Sequence, residues 1–154
     1  MKLRIISGGQ TGADRAALDL ALRHGIPHGG WCPKGRKAED GVIPARYQLK
    51  EHQSDEYIGR TEQNVIDSDG TVIFSVESEV SGGTLKAAEF AKKHNKPVLQ
   101  IQAGNAGAGA LLGRFIEQHR IQVLNVAGPR ASEEPRIGAF VTRVLEEAIQ
   151  TPVD

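Results

Sequence analysis

Cysteine is almost missing from this chain: Cys32 is the only one in 154 residues. An internal disulfide is thereby excluded, and a reducing, cytoplasmic compartment is expected. No C-x-x-C pair exists, so no metal centre is expected, and the lone thiol reads as buried and inert. Net charge is missing too, because Lys plus Arg and Asp plus Glu each number 19. A neutral chain carries no general field for nucleic acid or a membrane surface, so any anion site must be local. No apolar run approaches the roughly 20 residues needed to cross a bilayer. Met1-Lys2-Leu3-Arg4 leads straight into a strand without the apolar core of a signal peptide.

What the chain does have is 39% hydrophobic and 25% charged residues, the balance of one globular domain over 1–154 with a real core. Leu3-Arg4-Ile5-Ile6 reads as a strand, and Leu18, Ala21 and Leu22 mark the stripe of a first helix that ends at Gly25 and Pro27. A second strand is expected over His28–Trp31. From Pro33 to about Ser54 no period holds, and Val42, Ile43, Tyr47 and Leu49 look too sparse for a core element. Such stretches are usually functional loops or lids. Tyr57, Ile58, Thr61 and Val65 stand at helical spacing, followed by Thr71–Ser75, apolar on both faces like a buried parallel strand. Helix Leu85–Ala91, strand Val98–Ile101, helix 112–119, strand Gln122–Ala127 and helix 137–148 complete the alternation. The fold class is therefore α/β: a Rossmann-like three-layer domain, a mostly parallel sheet of about five strands with helices on both faces.

Two glycine-rich turns stand out. Ser7-Gly8-Gly9-Gln10-Thr11-Gly12-Ala13-Asp14 joins the first strand to the first helix, and Ser81-Gly82-Gly83-Thr84 opens the third. Glycine permits the tight turn and brings backbone amides close to a ligand, and a helix N-terminus offers unpaired N–H groups to an anion. Neither turn is the dinucleotide fingerprint or the P-loop. If the first strand and Thr71–Ser75 are neighbours, both helix mouths face one crevice at the carboxyl edge of the sheet. Lys34, Arg36 and Lys37, with Gly35 among them, form the densest positive group, either a phosphate grip or a solvated loop. Arg130, directly after the last strand, either reaches the site or pairs with Glu133 or Glu134. Asp14 reads as a helix-start residue. Arg60 and Asn64 share a helix face that either reaches the site or lies on the surface.

The ordered blocks Gly8–Asp19, His24–Arg36, Ala38–Gly41, Ile43–Tyr47, Arg60-Thr61, Asn64-Val65, Asp67–Thr71, Ser81–Thr84 and Asn125–Arg130 resemble the molybdenum cofactor carrier proteins of the SLOG superfamily. The resemblance covers nearly the whole chain. It implies a homo-oligomer, expected as a tetramer, that holds the molybdenum cofactor as cargo without transforming it. Molybdoenzymes or cofactor-synthesis proteins are then its expected partners. The cofactor-binding residues become Gly8, Gly9, Gln10, Thr11, Gly12, Asp14, Lys34, Gly35, Arg36, Ser81, Gly82, Gly83, Thr84 and Arg130, with no catalytic residue. Pro135-Arg136 departs from the Pro-Gly expected before the last helix. The rival in that superfamily is a lonely-guy-type nucleotide phosphoribohydrolase. It needs a Glu three residues after the Thr, where this chain has Ala87, so cleavage lacks its acid/base group on that helix. A nucleotide-ligand sensor using the same anion cradle is the other alternative.

Overall fold

The computed structural model describes residues 3–150. Its central sheet is built from β1 (Arg4–Ile6), β2 (His28–Gly29), β7 (Gly70–Ser75), β8 (Val98–Gln102) and β9 (Val123–Ala127), all parallel, in the order β2-β1-β9-β7-β8. Between them run α1 (Ala13–Arg23), α2 (Tyr57–Asp67), α3 (Gly82–Lys93) and α4 (Ala108–Gln118), with α5 (Ile137–Gln150) last. Short ladders β3 (Trp31–Cys32), β4 (Lys37–Ala38), β5 (Gly41–Val42) and β6 (Lys50–Glu51) fill the long connection to α2.

Right-handed crossovers fix the layers. The steps β1 to β2 and β8 to β9 run one way along the sheet, placing α1 and α4 on one face, where both pack on α5. The steps β2 to β7 and β7 to β8 run the other way, placing α2 and α3 together on the opposite face. This is the α/β, Rossmann-like, five-stranded parallel arrangement that the alternation of elements predicts. Every residue of β7 is buried, as its apolar run requires. On α5, Ile137, Val141, Val144, Leu145 and Ala148 are buried along one face. Each such aliphatic side chain contributes about 1.5–3 kcal/mol.

Three expectations need correction. β1 and β7 are not neighbours, because β9 lies between them and pairs with both. The last strand can enter the centre because its own sequence, Val123–Ala127, is apolar enough to be buried on both sides. With β9 and α5 placed ahead of β1, the strand order would be the 3-2-1-4-5 of a doubly wound sheet. The expected second strand splits at Gly30 (φ 123°), where the chain passes against Ser7 too closely for any side chain. Only His28 and Gly29 join the sheet, while Trp31 and Cys32 pair with Lys50 and Glu51.

The 33–54 segment is also not free of a core. Ile43 and Tyr47 are fully buried with Leu18, Cys32 and Ala38, and Leu49 packs against them. The Tyr47 hydroxyl donates to Asp19 at 2.6 Å, which satisfies its one polar end. Few apolar residues suffice here because the cluster borrows Leu18 from α1.

Candidate functional site

The loops that follow β1, β7 and β9 meet at the carboxyl edge of the sheet. The loop after β9 separates the two glycine-rich turns. Its Pro129 carbonyl accepts the Ala13 amide at 3.2 Å, and Pro129 also lines the cavity in front of α3. Gly128 is wedged between them, with a Cβ there reaching 2.6 Å from Ala13 and 3.1 Å from the Phe74 carbonyl. The mouths of α1 and α3 are therefore adjacent compartments, one loop apart, rather than one open crevice.

At α1 most donors are already taken. Asp14 lies inside the helix and caps no N-terminal amide of it; its Oδ2 accepts the Gln10 amide at 3.3 Å. The Gln10 side-chain oxygen accepts the amides of Thr11 (3.1 Å) and Glu39 (2.9 Å). The Thr11 hydroxyl accepts the Ala131 amide at 3.1 Å and donates to the Glu39 carboxylate. Gly12 (φ 82°) cannot be another residue, since a Cβ would lie 2.5 Å from the Pro129 carbonyl and 2.7 Å from the Ala131 amide. Burial pushes the Asp14 carboxyl up, and the Arg60 guanidinium, with 4.0 Å between nitrogen and oxygen, pulls against it.

Arg60 is not a surface residue. Its side chain is 12% exposed, and it lies flat over Gly8, where a Cβ would come within 2.5 Å of the guanidinium carbon. Asn64, also buried, fixes Trp31 through both its backbone groups. Arg60 Nε is buried without a hydrogen-bond partner among the described residues. Three cations surround the ring of Tyr57 at the start of α2: Lys37 at 5.2 Å, Arg60 at 5.5 Å and Arg130 at 5.7 Å. Arg130 also pairs with Glu133 at 3.0 Å, one of the two roles expected of it. The sequence leaves Arg60 open between site and surface and does not single out Tyr57 as more than a helix residue; the fold brings both, at the start of α2, beside the first turn.

The positive loop divides. Arg36 is spent holding the chain, donating to the carbonyls of Ile43, Pro44 and Tyr47 at 2.8–3.2 Å. Gly35 (φ 84°) donates to Glu51, and the Lys34 amide donates to the Ser54 carbonyl. Among the described contacts neither reaches the glycine-rich turns. Lys37, next along, is the one of this group that does reach the Tyr57 cluster.

At α3 the turn is open. No hydrogen bond from the amides of Gly82, Gly83 or Thr84 is found among the described residues, and a Cβ on Gly82 or Gly83 would meet nothing within 4 Å. The mouth faces a cavity of about 170 Å³ between the ends of β7 and β9, the switch point of the sheet. Ser81 and Thr84 line it, but so do Glu77, Glu79, Glu133 and Glu134. Thr84 stands in the first turn of α3 and is not its cap; that position is Ser81, without a side-chain bond.

Cys32 is buried, and burial pushes its thiol up, so it is not a ready nucleophile. Among the described residues no three His, Cys, Asp or Glu side chains are grouped to hold a metal ion. His24 and His28 stand four apart in sequence, but both lie beyond the last residue of α1, Arg23, and they face Glu146 and the Gln48 amide respectively. No helix of the described residues is long and apolar enough to cross a membrane.

Comparison with known proteins agrees with this architecture. A crystal structure from Syntrophus aciditrophicus, named "Putative molybdenum carrier protein", superposes with a TM-score of 0.92 at 47% identity, covering 96% of each chain. No curated protein matches. Residues 5–149 match the circularly permutated YpsA SLOG family, whose permutation accounts for a last strand lying at the centre of the sheet. This chain belongs to that family.

Proposed function

We propose that the protein binds a small, phosphate-bearing anion of the molybdenum cofactor class and carries it without transforming it. The ligand lies over the first glycine-rich turn and against the partition formed by Gly128–Arg130. The observation that carries this reading is the convergence of Lys37, Arg60 and Arg130 on Tyr57 in a chain of zero net charge. Three cations around one ring supply charge-assisted bonds to phosphate oxygens. Arg60 gives one terminal nitrogen to the Thr61 hydroxyl at 2.9 Å and keeps a buried Nε unpaired beside a glycine, a donor left for a ligand. Gly82–Thr84 offers free amides to a second acceptor group on the same ligand. Lys34, Gly35 and Arg36 serve it indirectly, by holding the loop that carries Lys37.

Titration with the molybdenum cofactor, and separately with nucleoside monophosphates, tests the reading. Replacing both Lys37 and Arg130 by Gln is expected to weaken binding by about tenfold or more, as loss of charge-assisted bonds implies. Both side chains are solvent-accessible, so the fold survives. Unchanged affinity in the double variant removes the site from this crevice. The printed name of the relative favours the molybdenum cargo, and transfer to molybdoenzymes from a homo-oligomer is part of the same proposal.

One observation favours the hydrolase alternative. α3 has Ala87 where an acid would be needed, but Glu77, Glu79, Glu133 and Glu134 bring carboxylates to the same cavity from the flanking loops. Incubation with a nucleoside monophosphate decides it: free base appearing at a rate set by the protein, and lost in Glu133→Gln, establishes an enzyme.

A further inference from the structure

We infer that Glu39 is a built-in occupant of the anion site: its carboxylate holds the donors at the mouth of α1, and the β4–β5 hairpin must release them before a ligand enters. This rests on the anion-binding reading of that mouth. Glu39 and Asp40 form the tip of the hairpin between Lys37-Ala38 and Gly41-Val42. The Glu39 carboxylate accepts from the Thr11 hydroxyl, the Ser132 hydroxyl and the Ser132 amide, the last at 3.1 Å. Asp40 grips Arg15 with two bonds of 2.5 and 2.9 Å. Donors from two loops more than a hundred residues apart thus converge on one carboxylate, which is how oxyanions are recognised. The bonds from Ser132 and Thr11, with Arg130 nearby, hold the Glu39 carboxyl below its ordinary range.

The strap is held at its tip, where the Glu39 amide also donates to Gln10 at 2.9 Å, and at its base, and is exposed between. Ala38 and Ile43 are buried, whereas Val42 is 73% exposed, and Gly41 (φ 114°) has open space around it. Hinged there, the tip can leave without disturbing the Ile43–Tyr47 cluster. A ligand that displaces Glu39 must match three donors and compete with a resident negative charge. A phosphate monoester dianion, with more charge and three terminal oxygens, does this better than a carboxylate. Apparent affinity is lowered by the fraction of molecules in which the strap is released.

The test uses inorganic phosphate as the probe, followed by phosphorus line broadening on the parent, Glu39→Gln and Glu39→Ala proteins. Hydrogen exchange of the amides of residues 37–42 is read in parallel. Glu39→Ala is expected to bind roughly tenfold more tightly, the gain from raising a one-in-ten competent population to unity. Glu39→Gln should fall between, and phosphate should speed exchange at 37–42 in the parent. Equal phosphate affinity in all three proteins, with exchange at 37–42 unmoved, refutes the strap and leaves the anion site standing. Absence of phosphate binding in all three, each folded by its amide spectrum, refutes the anion site and the strap with it.

Discussion

Two glycine-rich turns of similar design follow β1 and β7, on either side of β9, and the molecule finishes them differently. At α1, Gly12 is enclosed by the backbone of residues 129–131, Glu39 and Gln10 take the polar groups, and Arg60 covers Gly8. At α3, Gly82 and Gly83 face open space, and four carboxylates from the flanking loops line the cavity in front of them. The same local signal therefore produces a packed, charge-balanced nest in one place and an open pocket in the other. The difference lies in what neighbouring strands deliver. β9 brings the Pro129 carbonyl to the first turn, while the second turn has only its own approach loop and the far side of that partition.

The largest effect that sharpens this contrast is expected from Gly12→Ala. The positive φ and the backbone atoms at 2.5 and 2.7 Å leave the new methyl nowhere to go, so a loss of about 2–4 kcal/mol is expected. The midpoint of urea unfolding reads it, and an unchanged midpoint would mean the first turn is not enclosed.

A smaller effect, with a sign that depends on pH, is expected from Asp14→Asn. The Asp14 carboxyl is raised above 3.8 by burial, so the folded protein holds its proton more tightly than the unfolded chain. The stability this contributes is complete below the unfolded value and is lost as pH rises through the folded one. The asparagine variant lacks that loss, so its melting temperature relative to the parent should climb as the pH rises above the ordinary carboxyl range. Glu39 and Asp40, on the hairpin tip, have the opposite sign: their carboxyls are lowered, so their contribution is present at neutral pH and lost on acidification. A melting difference that is flat with pH would show that Asp14 titrates alike in both states.

The smallest effect is expected from Gly83→Ala. With an ordinary helical position and open space, the alanine should be neutral or stabilise by up to roughly 0.5–1 kcal/mol. A loss as large as that of Gly12→Ala would erase the distinction between the two turns.

Much of the architecture was legible because it is written in local pattern. The buried run of β7, the stripe on α5 and the glycine at the end of α1 all appear where periodicity and stop signals put them. Strand order was not legible, since nothing in Val123–Ala127 says which strands it will part. The site was half legible for the same reason. Thr11, Gly12 and Arg130 are marked by their turns, but Tyr57 and Arg60 look like ordinary helix residues until α2 is laid across Gly8. Arg36 shows the reverse case: a cation that reads as a ligand grip and instead ties three carbonyls of its own loop.

The central position of β9 has a consequence for biogenesis. While the chain emerges from its N-terminus, β1 pairs with β2 and β7 with β8, but these two half-sheets share no edge until residues 123–127 arrive to join them. The compartments in front of α1 and α3 also wait for that moment, because their common wall is the loop that follows. A chain halted before this point would hold two unpaired strand edges, a state open to aggregation and inviting to chaperones.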